Sequence, residues 1–254
     1  MQTNFEEELW KIHYYEAGSF EEELLIFMPN LLLMTHSIFL GANSEYNEWY
    51  LKQNGKEYAY LFVRSFLELM GSNYPPVTHW VMKTPLHPLY PDTLLDTFPD
   101  ARIIVPHRDP AEVIPSWSKL CAYVMAHYYK ETDTRFCFDA KAICRNVLDH
   151  MSQSAQRLTS YRQTHPEKAN QFHDVYYEDL VTDPISVIRN IYRHYDIPFS
   201  AQFEQNMRAF LEENPHGKHG RVHYHLDEFD VSAQEIYDQF EEYLKAFPSL
   251  RVER

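Results

Sequence analysis

With 254 residues, 44% hydrophobic and 24% charged, the chain can bury a core of one large domain and is neither disordered nor fibrous in composition. Its net charge of -14 argues against broad nucleic-acid binding, so an anionic ligand must find a local basic pocket in an acidic surface. Cys121, Cys137 and Cys144 are odd in number and lack C-x-x-C spacing, which points away from a disulfide framework and from a zinc site.

The start, Met1 to Glu8, is acidic and no apolar signal-peptide core follows it. Leu24 to Leu40 is apolar but broken by Pro29, Asn30, Thr35, His36 and Ser37, too short and polar for a bilayer span. A reduced, cytoplasmic protein is expected, and a homo-oligomer is left open. The first seventy residues read as helices: Glu21 to Glu23 form an acidic first turn, and Tyr58 to Met70 is apolar at helical spacing. After a turn-rich break at Gly71 to Pro76, His79 to Met82 reads as a short strand ending at Lys83. Pro88 to Phe98 suits a short helix with Leu94 and Leu95 inward.

Arg102 to Val105 is the second predicted strand, almost wholly apolar, as a strand covered on both faces should be. Asp109-Pro110 supplies a cap and a first-turn proline for a helix through Val113, Trp117 and Leu120. Further helices are predicted at Asp139 to Arg162, Pro184 to Tyr195, Ala201 to Glu212 and Ala233 to Ala246, with a third strand at Phe172 to Tyr176. Strands alternating with helices indicate an α/β protein with a parallel sheet. Nothing divides the chain, so residues 1–254 are read as a single domain.

Basic residues stand where open α/β sheets hold ligands, just past the strand ends. Arg108 precedes a capped helix whose first-turn N–H groups suit a phosphate, and Ser116 lies two turns on. The plain alternative is that Arg108 pairs with Asp109 or Glu112. Lys83 could neutralise a leaving phosphate or simply snorkel to water. His87 could serve as a general base or be structural. Gly217-Lys218-His219-Gly220 is a basic loop that either closes over a phosphate or is a solvated turn. Tyr177 follows the third strand and either borders a base or packs in the core.

Together these blocks resemble the sulfotransferases that use 3′-phosphoadenosine 5′-phosphosulfate (PAPS), in their soluble, largely microbial branch. The likeness rests on Trp80, Lys83-Thr84-Pro85 and His87, on Phe98-Pro99-Asp100-Ala101, and on His107-Arg108-Asp109-Pro110 with Ser116. "YYEDLVTDP" and "GKHGRVHYHLDEF" look like later blocks in the same order, and the likeness covers about 21–247. It implies a P-loop-NTPase-like, three-layer α/β fold with a helix-rich N-terminal part. It also implies transfer of a sulfuryl group from PAPS to a hydroxyl or amine of a small acceptor, without a metal. By resemblance, Arg108 and Ser116 would hold the 3′-phosphate, Tyr177 would border the adenine, and Gly217 and Lys218 would cover the phosphate. Lys83 would support the phosphosulfate. His87 transfers less directly, because the best-known members carry the histidine where this chain has Pro85.

One family block has no counterpart: the first strand and its Gly/Ser/Thr-rich loop, which wraps the 5′-phosphosulfate with backbone N–H groups. The first βα unit is therefore expected to be missing from the sheet. The alternative function that follows is a truncated or degenerate relative that binds the nucleotide without turnover.

Overall fold

The fold comes from a computed structural model, which describes residues 22–40, 45–126, 139–215, 218 and 225–250. Short helices open it: α1 (Leu24–Phe27), α2 (Met34–Leu40), α3 (Glu45–Leu51), then the long α4 (Glu57–Asn73). A 3-10 turn at His87–Leu89 leads to α5 (Pro91–Thr97), with proline at its first turn, where a missing N–H costs no helical bond. Next come β1 (Ile103–His107), α6 (Pro110–Ala126) and α7 (Ala140–Thr164), and then β2 (Phe172–Tyr176). The remaining helices are α8 (Tyr177–Thr182), α9 (Pro184–His194), α10 (Ala201–Glu213), α11 (Ala233–Gln239) and α12 (Glu241–Ala246).

Side-chain caps set several of these starts. Asp139 accepts from the Lys141 N–H, Asp183 from Ser186 and Ser200 from Phe203, so first-turn donors that lack a helical partner are satisfied. Ser232 and Glu235 form a reciprocal capping box at α11. The predicted helix Ala233 to Ala246 is in fact two helices, α11 and α12, with Phe240 at the junction. Phe240 is buried in the main core, which fixes the chain there.

β1 and β2 pair in parallel, with Ile103 opposite Phe172 and His107 opposite Tyr176. Strand alternation sends Ile103, Val105, His107, Phe172, Asp174 and Tyr176 to one face. There Val105 and Phe172 pack with Leu95 of α5 and Tyr161 of α7. On the opposite face Val175 packs with Ile191 and Tyr195 at the α9 end. The sheet thus lies between helices, with helices on both faces of β2. A larger core gathers α1 to α7 with Phe229, Ile236 and Phe240.

The strand expected at His79 to Met82 does not form: the sheet of the described residues has two strands, β1 and β2. Residues 77–81 are exposed, Val77 fully and Val81 at 83%. A strand needs a neighbour to take its N–H and C=O groups, and no described segment pairs with this one. Ile104 and Pro106, on the second face of β1, are exposed as well. No helix among the described residues is long and apolar enough to cross a membrane.

Candidate functional site

The parallel register decides what meets at the sheet's carboxyl edge. His107 lies opposite Tyr176, so Arg108 and Tyr177, each one residue further on, emerge side by side. The Arg108 guanidinium stacks on the Tyr177 ring at 4.2 Å from its centroid and donates to Glu112 Oε2 at 3.1 Å. Phosphate clamp and local ion pair are therefore compatible: stacking aims the fork and Glu112 steadies it. Glu112 and Ser116 stand four apart in α6, so the half-buried Ser116 follows on the same helical face. Asp109, buried, accepts from the Ala111 N–H at 2.8 Å and from Tyr237 Oη at 3.2 Å, which anchors the helix start behind Arg108.

Beneath this edge lies a polar network that the sequence reading did not pick out. His107, 1% exposed, sits between Tyr243 Oη on Nδ1 and Asp174 Oδ1 on Nε2, each at 2.8 Å. Arg162 of α7 donates to both Asp174 oxygens at 2.7 and 2.8 Å. With a proton on Nε2, His107 donates to Asp174, and the Tyr243 hydroxyl partners Nδ1. Burial alone would raise the Asp174 carboxyl, but hydrogen bonds from His107 and Arg162 outweigh it and hold the group well below the usual carboxylate range. The network ties β1, β2, α7 and α12 together directly behind Arg108. Only His107, inside the His-Arg-Asp-Pro block, gave any sign of it in sequence.

The second cluster surrounds Lys83. Its backbone N–H donates to Glu23 and its ammonium to Glu22. Glu23 also meets His87 Nε2 at 2.8 Å, while His87 Nδ1 faces the hydroxyl of the fully buried Tyr60 at 3.1 Å. Burial works to raise the Glu23 carboxyl, yet the His87 ring and the Lys83 backbone amide outweigh it and leave it below its ordinary value. Lys83 and His87 are thus brought together, joined by a carboxylate sixty residues away in the chain. Glu23 was expected only to charge a helix start; no local pattern announces its long-range bonds.

Lys218 does not join either cluster through any described contact; its ammonium donates to Asn214 Oδ1 at 3.0 Å. Gly217 lies outside the described residues, as does residue range 219–224 of the same loop. Among the described residues no group of three His, Cys, Asp or Glu side chains could hold a metal ion.

The model of the Sulfotransferase family matches residues 2–201. This chain belongs to that family. Two solved structures share its fold. The sulfotransferase STF9 from Mycobacterium avium is 25% identical with a TM-score of 0.80, and the match covers 96% of this chain. Sulfotransferase STF1 from Mycobacterium tuberculosis H37Rv is 24% identical with a TM-score of 0.73 over 90% of this chain. The chain spans 63% of the first relative's length and 56% of the second's. Comparison with curated proteins finds no match. The three-layer sulfotransferase fold expected from the sequence is therefore the fold observed, with its parallel sheet reduced to β1 and β2 among the described residues.

Proposed function

We propose that this sulfotransferase-family chain binds a 3′-phosphoadenosine nucleotide at the Arg108–Tyr177 edge and uses the Lys83–Glu23–His87 cluster for sulfuryl transfer to a small acceptor. The observation that carries the reading is the β1–β2 register, which stacks Arg108 on Tyr177 with Ser116 on the helix face behind. Arg108 offers a planar fork suited to a phosphate, the first turn of α6 offers N–H donors, and Tyr177 offers a ring for the base. The residues at this end fit the 3′-phosphate half of PAPS. Lys218 and Gly217, by resemblance, would close over it.

PAPS when bound would supply an activated sulfuryl group. Transfer of that group to an acceptor oxygen or nitrogen would break its bond to the bridging phosphate oxygen and would require the acceptor's proton to leave. The Glu23–His87 pair is the unit proposed to take that proton, the Glu23 carboxylate and His87 Nε2 lying 2.8 Å apart and orienting each other. Lys83 is the cation for the charge developing on the bridging oxygen, once its ammonium exchanges Glu22 for that oxygen. This 5′ half fits less well than the 3′ half, because its one described ammonium is already matched by a carboxylate.

Calorimetric titration tests the reading. 3′,5′-Adenosine bisphosphate should bind, and adenosine 5′-monophosphate should bind at least about tenfold more weakly, the loss of one charge-assisted phosphate contact. Equal affinities for the two nucleotides would remove Arg108 and Tyr177 from the 3′-phosphate. The alternative, a relative that binds without turnover, is separated by adding PAPS and a panel of small hydroxyl and amine acceptors. Binding with no sulfated product would favour it.

A further inference from the structure

Two histidines outside the proposed site meet where β2 packs on α9. Strand alternation puts His173 beside Val175 on the face of β2 that α9 covers, opposite to Asp174. His194 closes the last turn of α9, and the two ring centres stand 4.7 Å apart with their planes tilted by 46°. Tyr195 backs both rings. Its hydroxyl is anchored on the carbonyls of Ile103 and Gln171, 2.8 and 2.9 Å away. Its ring stands nearly perpendicular to His194 at 4.6 Å and crosses His173 more steeply than not at 6.3 Å.

His87 and His107 spend both ring nitrogens on hydroxyl and carboxylate partners. Among the described residues, no hydrogen bond occupies a ring nitrogen of His173 or His194. Each neutral imidazole therefore keeps a nitrogen lone pair for a ligand. With metal–nitrogen bonds of about 2.0–2.1 Å, two imidazoles on one tetrahedral ion have ring centres roughly 5 Å apart, close to the spacing found here. The C-terminal end of α9 carries the negative pole of its helix, which favours a cation beside His194. The positive side chains nearby have other partners: Arg193 donates to Asn190 Oδ1 at 3.3 Å, and Arg102 lies over the Tyr195 ring.

We propose that His173 and His194 form a two-imidazole site for a divalent transition-metal ion, which clips the end of α9 to β2. Zinc, nickel and copper suit imidazole nitrogen, whereas magnesium and calcium prefer oxygen ligands and would pass the pair by. His194 is exposed, and Ile104, opposite His173 in the register, is 47% exposed, so water can reach the remaining coordination positions. Two protein ligands make an exchangeable ion, unlike the closed four-ligand set of a structural zinc site. His173 precedes Tyr177 by four residues, so the clip would steady β2 without entering the proposed sulfuryl transfer.

Zinc titration of purified Met1–Arg254, followed by NMR of its imidazole rings, tests this without any nucleotide. One equivalent should shift the His173 and His194 signals together, ahead of the other histidines. Zinc at about a hundredfold over its Kd should raise the unfolding midpoint by about 5 °C or more. One equivalent of copper(II) should give an electron paramagnetic resonance spectrum split by two nitrogens. His173→Gln and His194→Gln should each weaken zinc binding by at least about tenfold, since loss of an outer-shell partner already costs that much. His79→Gln, at an exposed histidine elsewhere, should leave it unchanged. His194 is exposed, so its variant keeps the fold and decides the matter even where the half-buried His173 does not tolerate change. Three results overturn the proposal: zinc that shifts other histidines first or none at all, copper held through a single nitrogen, or a His194→Gln protein that binds zinc as tightly as wild type.

Discussion

The contact between Arg108 and Glu112 gives the proposed nucleotide site a measurable signature. If the guanidinium clamps the 3′-phosphate, Arg108→Ala removes a charge-assisted hydrogen bond and weakens 3′,5′-adenosine bisphosphate by about 1.5–3 kcal/mol, roughly 10- to 150-fold. Glu112 predicts the opposite sign. Its carboxylate is 3.1 Å from the same guanidinium, so it must stand close to any phosphate held there. At about 5 Å, two unit charges repel by about 3 kcal/mol at an effective dielectric of 20 and by about 0.8 kcal/mol in water. The two side chains are 30% and 31% exposed, which places the pair toward the watery limit. Glu112 also orients the fork, and losing that offsets part of the relief. Glu112→Gln should therefore tighten binding by about two- to fourfold, and the gain should shrink as salt rises. The assay is calorimetric titration of wild type and both variants at low and high ionic strength. Identical affinities for all three, or a ligand-free Arg108→Ala protein that no longer folds, would refute the assignment of Arg108 to a phosphate.

Three further outcomes follow from the same structure. Lys83→Ala should cost most of any measured sulfation with little change in bisphosphate affinity, because a group used in the transition state affects turnover more than binding; His87→Ala should lower turnover through Glu23, and full turnover in either variant removes that residue from the mechanism. The buried His150 has both ring nitrogens without a hydrogen bond and burial drops its pKa to about 4, so the unfolded chain binds the proton more readily, and about 2 kcal/mol of stability should be lost between pH 7 and pH 5. Denaturant unfolding of His150→Phe should show that slope removed, and an unchanged slope would place the acid sensitivity elsewhere.

Elements stabilised by their own residues were legible in the sequence. Asp109-Pro110 announces its helix through a cap, and the helices predicted from Asp139, Pro184 and Ala201 start within a residue of where expected, each behind a side-chain cap that acts over two or three positions. Phe172 to Tyr176 reads as a strand and forms one, with Phe172 and Val175 buried in clusters on opposite faces. His79 to Met82 also reads as a strand and yet forms none, since pairing is a property of two segments and no described segment pairs with it. The candidate site divides in the same way. Arg108 and Tyr177 could be found from their places after strands, whereas Glu23 and Asp174 could not. Each of these carboxylates works through partners far along the chain, and only the fold brings them within reach.

The two halves of the site also differ in what holds them in shape. Behind Arg108, a buried histidine, a carboxylate and a bidentate arginine lock two strands and two helices, so that end is preorganised before any ligand arrives. Around Lys83, the geometry depends on Glu22 and Glu23, which precede a four-residue helix beside a broad exposed apolar face. On the proposed function, affinity for the 3′-phosphate would need only the first end, whereas transfer would need donor, acceptor and cation held in line at the second. If the proposed function holds, changes at the Lys83 side should lower the rate while leaving recognition of the nucleotide at the Arg108 edge intact, because different packing sets the two ends.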